Sequence, residues 1–595
     1  MRDFHDQHET RQDRTIWKRF YTYLKPHLKS FIWAFILLLL GTLTGMILPL
    51  ASGLAIDQMT NPDLTLETKL WIVGIGAGVL LFLSAISTYV SYLQNVLLQK
   101  VGQTITHTIR QDVYNHINTL SIGQLNEVPV GKLVTRATND PANISDMFTN
   151  TLINVIRAGL TLVIITIILL FISPLMTLIT MAVIPLMLLA MTVYRHTSRK
   201  AYRHVRNLQS DVNAYLSEHL SGMKIIHVFN QEHKVNTSFR QLSTRLRKAI
   251  FNEMYTFAIF RPTLYMLSML ATLFAIYFGV RSVFEGTLTI GLFISFYVYV
   301  GQFFEPIQQI SEQMNTLQGS FASAEKIFDV LDTQPDMVDA DDAIELETFH
   351  GKVEFKNVWF HYLPGEWVLK NVSFTLLPNQ TMALVGATGS GKTTILQLLV
   401  RNYDIQKGTI LLDDIPIQKI KRSSLRRHMG QMLQDVFLFS GTIRDNITLH
   451  NPAITQTNID EASRYVALNH VIDKHPEGLD YPVKERGKNF SSGERQLISF
   501  ARALVYQPSL MILDEATANI DSETETIIQN SLTQMMSIST MLIVAHRLST
   551  IQHADTILVM TKGEIIEQGN HQELLAKKGH YYNLYLLQYE TPSIS

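Results

Sequence analysis

Cysteine is absent from this chain of 595 residues, and neither sign of charge is in excess: 50 Lys and Arg stand against 51 Asp and Glu. The first absence excludes a disulfide framework, thiolate zinc sites, iron–sulfur clusters and cysteine nucleophiles. The balance gives no global electrostatic reason to expect a nucleic-acid partner. A third absence is local. The averages of 47% hydrophobic and 17% charged residues hide a split, because the first half contains long runs with no charge at all. The chain is also too long for one core, which rarely exceeds roughly 250–300 residues.

A helix needs about 20 apolar residues to cross a hydrocarbon core of roughly 30 Å. No charge occurs from Phe31 to Ile56, from Leu70 to Gln99, or from Ala158 to Tyr194. The third run is too long for one crossing. It divides at Ser173-Pro174 into two spans joined by a tight turn, with a second interruption at Pro185. Arg157 is expected near the water interface. Pro262 to Val280 and Leu288 to Phe304 complete six spans.

Basic residues set the orientation. Arg2, Arg11, Arg14, Lys18, Arg19, Lys25 and Lys29 precede the first span, and Arg195, Arg199, Lys200, Arg203 and Arg206 crowd a later loop. The short opposite connectors carry Asp57, Asp63 and Glu67 against Lys69, and Arg281 against Glu285. Both termini and everything after the last span are therefore expected in the cytoplasm of a multi-pass cell-membrane protein. Trp17, Phe20, Tyr21 and Leu24 recur at helical spacing, which predicts a helix lying on the inner membrane surface. The two cytoplasmic loops, each about 45–55 residues, are too long to lack structure. Each is read as two helical extensions with a turn helix at its tip, Thr119 to Glu127 in one and Ser221 to Ile226 in the other.

The composition changes near Asp329. The expected organisation is a transmembrane domain over 1–328, an acidic linker over 329–350, and a nucleotide-binding domain over 351–595. In class terms this is an all-α six-helix transmembrane domain followed by an α/β P-loop ATPase domain. The strongest motif is Gly386-Ala387-Thr388-Gly389-Ser390-Gly391-Lys392-Thr393-Thr394, which follows an apolar strand and opens a helix. Glycines let backbone N–H groups wrap phosphates, and the helix N-terminus adds a favourable dipole. Lys392 would reach the β- and γ-phosphates of ATP, and Thr393 would hold Mg²⁺. A second apolar strand, Leu510 to Leu513, ends in Asp514 and Glu515. Asp514 is placed to organise Mg²⁺ or its water, and Glu515 to act as general base on the attacking water. Ser491, Ser492 and Gly493 precede a helical run and would ordinarily be read as a cap.

In their order these motifs resemble the ATPase cassette of the ABC transporter family over Gly351 to about Leu587, and the six spans resemble its exporter type. The resemblance implies further roles. Tyr362 would stack on adenine, and Gln434 would reach Mg²⁺ and contact the membrane domain. Phe490 to Glu494 would form the signature segment, with Ser491, Ser492, Gly493 and Glu494 meeting nucleotide, Ala518 to Asp521 the D-loop, and His546 the catalytic switch. It also implies two cassettes clamping ATP between one chain's phosphate loop and the other's signature, so a second half-transporter is required as partner. The cargo implied is hydrophobic or amphipathic, as in multidrug exporters. Ser492 and Glu494 depart from the family's glycine and glutamine, adding a Cβ and a negative charge beside a polyanion. Lys392, Asp514, Glu515 and His546 keep the pattern. That combination resembles one member of a heterodimeric exporter with one hydrolytic and one degenerate ATP site. A homodimer, or a flippase of lipid or lipid-linked sugar, stays open as the alternative. Aromatics of the last span, Phe293, Phe296, Tyr297, Tyr299, Phe303 and Phe304, are expected either to line an adaptable cavity or to face lipid and neighbouring helices.

Overall fold

The computed structural model describes residues 13–514, 522–544 and 551–589. They divide into two compact units, one of residues 13–118 with 131–333, the other of residues 119–130 with the described residues from 334 onward.

The first unit is helical. An N-terminal helix α1 (Asp13–Leu24) precedes α2 (Leu28–Thr60) and α3 (Leu66–Thr119). Helix α4 (Ile122–Glu127) forms the first tip and is grouped with the second unit. Helices α5 (Val130–Asp146) and α6 (Leu152–Ile172) are joined by one wide π-turn, Met147–Thr151. Then come α7 (Pro174–Met181), α8 (Ile184–Ser221), the second tip α9 (Met223–Val228), α10 (Glu232–Phe284) and α11 (Ile290–Asp332). Six of the resulting helical stretches are long and apolar enough to cross a membrane. The break at Ser173 has a clear cause. Its side chain caps α7 by accepting the Met176 N–H, and Pro174 supplies the first helical residue, where no N–H is needed. Near Pro185 the helix is interrupted again between Met181 and Ile184, since proline cannot donate to the preceding turn.

Large apolar side chains such as Phe82, Phe171, Leu175 and Phe284 lie exposed on the outside of these spans, as lipid contact requires. Inside, α2 and α11 approach closely. A Cβ on either Gly53 or Gly291 would overlap the other's carbonyl. Tyr299 donates its hydroxyl to the Met46 carbonyl, and Ser295 Oγ donates to the Pro49 carbonyl at 2.8 Å. The aromatics of α11 follow this packing. Phe296, Tyr299, Phe303 and Phe304 are buried against α6, α7 and α10, and only Tyr297 of the six is largely exposed. Helix α1 likewise turns inward on one face. Ile16 and Phe20 are buried, and Phe20 meets Phe148 edge-on at 5.3 Å; Trp17 and Tyr21 remain exposed. Arg157 donates to buried Gln94 Oε1 at 3.1 Å, so its head is held by α3.

The described residues of the second unit form sheets of four and six strands and a two-stranded ribbon. Strands β1 (Val353–His361), β2 (Trp367–Leu376), β4 (Lys407–Leu412) and β5 (Ile415–Pro416) make an antiparallel sheet in the order β2-β1-β4-β5. The larger sheet orders β12-β11-β3-β10-β9-β6, with β3 (Thr381–Gly386), β6 (Met429–Met432), β9 (Leu510–Asp514), β10 (Thr540–Val544), β11 (Thr556–Thr561) and β12 (Glu564–Gly569). A short ribbon, β7 (Gly441–Thr442) with β8 (Pro482–Val483), stands apart. Every residue of β9 and β10 is buried, because helices cover both faces of a parallel sheet. Residues 329–332 finish α11, while Met337, Ala343, Leu346 and Phe349 are buried. Asp339 there pairs with buried Arg401 at 3.1 Å and accepts the Arg422 N–H.

Candidate functional site

Strand β3 feeds the phosphate loop directly into the helix Lys392–Leu399. Gly389 and Gly391 have φ of +80° and +101°, which a side chain would strain, and a Cβ on Gly391 would sit 2.6 Å from Leu369 Cδ2. Open space surrounds Gly389. Lys392 curls over the loop and donates from Nζ to the carbonyls of Gly386 at 2.7 Å and Ala387 at 3.0 Å. Burial pulls its ammonium below the usual lysine range, and the nearby Asp514 carboxylate opposes that pull. Ser390 Oγ is buried with no hydrogen-bond partner. Ala387 and Thr388 are exposed on the loop, Thr393 is exposed, and Thr394 is buried.

The sheet brings the other groups to the same edge. Asp514 is level with Val544 of β10, and Val544 with Leu384 of β3, so the carboxylate stands two strands from the root of the loop. Gln434 is exposed two residues beyond β6, the strand next to β9. The carboxyl ends of adjacent parallel strands thus converge, where ligands of open α/β sheets bind. Tyr362 lies close by, but its ring is not a detached platform. Its hydroxyl donates to Thr394 Oγ1 at 3.2 Å, and its edge meets Tyr403 at 5.1 Å. Glu515, Ala518 to Asp521 and His546 lie outside the described residues.

The signature segment opens a helix, Ser492–Leu504, with Ser491 as its cap. Ser491 Oγ accepts the Glu494 N–H at 3.1 Å, and Glu494 Oε2 accepts the Ser491 N–H at 2.9 Å, a reciprocal capping box. Lys474 Nζ donates to the other carboxylate oxygen at 2.8 Å. Burial pushes the Glu494 carboxyl up, yet the bonds from Lys474 and Ser491 leave it below the usual glutamate range. The added charge of Glu494 is therefore turned back on its own helix. Ser492 and Gly493 form the first turn, with Gly493 buried.

Two residues escaped sequence reasoning. Lys474 is 20 positions from Glu494, too far for any local pattern to join them. Tyr403 carries the first tip. Its hydroxyl receives Asn126 Nδ2 at 3.5 Å, and a Cβ on Gly123 would lie 2.9 Å from its ring. A loop helix meeting an aromatic just past the phosphate-loop helix was the available signal.

These residues fit a bound triphosphate. The lysine needs only to leave two carbonyls, the Ser390 hydroxyl is buried without a partner, and Thr393 is exposed beside them. Comparison with known families agrees. Residues 31–307 match the family described as the ABC transporter transmembrane region, and residues 369–518 match the family described as ABC transporter. The chain is 38% identical over 538 residues, 89% of its own length and 78% of the relative's, to a probable multidrug resistance ABC transporter ATP-binding/permease protein, YheH, of Bacillus subtilis. It is 32% identical over 587 residues, 98% of its length and 96% of the relative's, to an ATP-dependent lipid A-core flippase of Syntrophus aciditrophicus. Among solved structures, a bacterial Atm1-family ABC exporter with ATP bound superposes with a TM-score of 0.78 at 26% identity, covering 94% of this chain and 98% of that one. With its membrane half, its phosphate loop and its relatives in agreement, the chain belongs to the ABC transporter family, as an ATP-hydrolysing, exporter-type half-transporter of the cell membrane whose ATPase domain is cytoplasmic.

Proposed function

We propose that this chain exports hydrophobic or amphipathic compounds, multidrug-type, as one half of a heterodimer with one hydrolytic and one degenerate ATP site. The observation that carries the reading is an asymmetry within one chain. The phosphate loop, Lys392 and Asp514 keep the residues that hydrolysis requires, whereas the signature has a serine and a carboxylate at Ser492 and Glu494. In this reading Lys392 and the loop N–H groups hold the phosphates, Tyr362 packs on adenine, and Thr393, Gln434 and Asp514 hold Mg²⁺, Asp514 through water. Bound there, Mg²⁺ would neutralise charge on the transferring phosphoryl group. Glu515 takes the proton of the attacking water, and His546 orients the phosphate. Signature residues Ser491 to Glu494 meet the nucleotide held by the other chain, so ATP favours the closed dimer because both halves bind it. Alternating access then carries cargo outward.

A multidrug cargo is supported by the relative named for multidrug resistance. The relative named a lipid A-core flippase supports a lipid cargo as the second reading. Expressing this chain alone and measuring its ATPase rate tests the partnership: robust turnover by the pure homodimer rejects a heterodimer. Stimulation of the assembled transporter's ATPase in liposomes by drugs, set against stimulation by lipids, separates the two cargo classes. Glu515→Gln is expected to trap a closed, ATP-bound dimer, and unchanged hydrolysis rejects its role as base.

A further inference from the structure

A carboxylate in the first turn of the signature helix is a liability if that turn receives a triphosphate. Like charges a few ångströms apart in a partly dry interface repel strongly, and Glu494 would also cancel the helix dipole that attracts phosphate. The structure contains a remedy. Glu494 is largely enclosed, with 17% of its side chain exposed, and both of its oxygens are engaged. One is fixed on the Ser491 N–H, and the other receives the Lys474 ammonium at 2.8 Å. The adjacent cation Arg495 turns away and donates to the Phe490 carbonyl at 2.9 Å. Lys474 is thus the cation placed on this carboxylate, and its own side chain is 61% exposed, so it brings a charge from the surface rather than burying one.

We propose that Lys474 is a positioning residue for nucleotide. It neutralises Glu494 where that carboxylate caps the Ser491 N–H, so that the first turn of the signature helix presents no net negative charge to a triphosphate. This deepens the proposed function and rests on its reading that the signature helix meets ATP held by the other chain. The pair acts as a substitute for the neutral amide that the family pattern carries at this position. Its signature is non-additivity: Lys474 matters only while residue 494 is a carboxylate.

The test uses the assembled transporter, purified through this chain and reconstituted in nanodiscs, with ATPase rate followed against MgATP concentration; hydrolysis requires closure over both nucleotides, so weaker binding at the site this signature faces raises KM. Lys474→Met is expected to raise KM for ATP about five- to tenfold with kcat within about twofold. Added salt should narrow the gap. Adding Glu494→Gln should return KM to within about twofold of the original. An unchanged KM in Lys474→Met, or an equal rise in the Glu494→Gln background, overturns the proposal. If Lys474→Met does not assemble, the double variant is compared with Glu494→Gln alone: equal KM supports the proposal and a rise overturns it. Gly493→Asp separates the two levels. It places a carboxylate in the same turn, where an acidic residue suits the helix N-terminus. If it leaves ATPase unchanged, the helix does not meet nucleotide, and the underlying reading fails with the proposal. If it abolishes ATPase while Lys474→Met is silent, only the role of Lys474 fails.

Discussion

Asp57, near the end of α2, accepts the backbone N–H of Gly291 in the first turn of α11 at 2.6 Å, and its second oxygen takes the Thr289 hydroxyl at 2.6 Å. One helix therefore supplies a cap for another, beside the point where Gly53 and Gly291 bring the two backbones together. Thr289 Oγ1 in turn accepts the Leu292 N–H, so two orphan donors of α11 are satisfied by this arrangement. Asp57→Ala should destabilise the membrane half by about 1–2 kcal/mol, as loss of a cap does. A thermal melt checks this, and faster amide exchange confined to 289–292 would locate the effect.

Lys392 spans the loop it is meant to serve. Lys392→Ala should lower ATP hydrolysis at least about a hundredfold, because a preorganised charge on the transferring group is lost. Its melting temperature should change little, since the Nζ bonds are to loop carbonyls that water can reach once the side chain is gone. Retained hydrolysis would show that the loop does not hold the phosphates in this way.

Gly391 has both reasons to be glycine, a φ of +101° and a neighbour at 2.6 Å from any Cβ. Gly391→Ala should cost roughly 1–3 kcal/mol of cassette stability, the range for a residue held in a sparsely populated conformation. It should also weaken ATP binding. Melting of the protein with and without ATP measures both.

Gly123 and Tyr403 touch closely enough that a larger residue must displace the ring. Gly123→Val is expected to leave basal ATPase within about twofold and to reduce cargo stimulation by about three- to tenfold, the scale of a typical coupling energy. Parallel ATPase and transport assays in liposomes check it; equal loss of both would point to misfolding instead.

Glu494 gives a pH dependence of definite sign. Its carboxyl is held below the ordinary value of 4.5, so the folded state binds the proton less readily than the unfolded one. The resulting stability is present above the unfolded value and is lost as pH falls through the folded one. Stability measured from pH 6 down to about pH 3 should fall less steeply in Glu494→Gln than in the original chain.

The phosphate loop was legible because its residues are contiguous and its chemistry is written in backbone conformation, as at Gly389 and Gly391. The spans were legible because an absence of charge is easy to see, and the Ser173-Pro174 break because proline has one place at a helix start. What escaped depends on distance in sequence. Nothing near Glu494 announces Lys474, and the capping box turns a charge expected beside phosphate back on its own helix. Phe296, Tyr299, Phe303 and Phe304 look the same in sequence whether they face a cavity or a neighbour; helix packing decided for the neighbour. Phe20 was legible as part of an apolar stripe, but not that its stripe would meet Phe148.

Helix α3 runs for 54 residues from Leu66 to Thr119 with no proline inside it. At 1.5 Å per residue that is about 80 Å, against a hydrocarbon layer of roughly 30 Å. Its last stretch, Lys100 to Thr119, lies beyond the uncharged run and extends about 30 Å past it, an outer arm that turns a sideways force at Thr119 into torque on the membrane-embedded part.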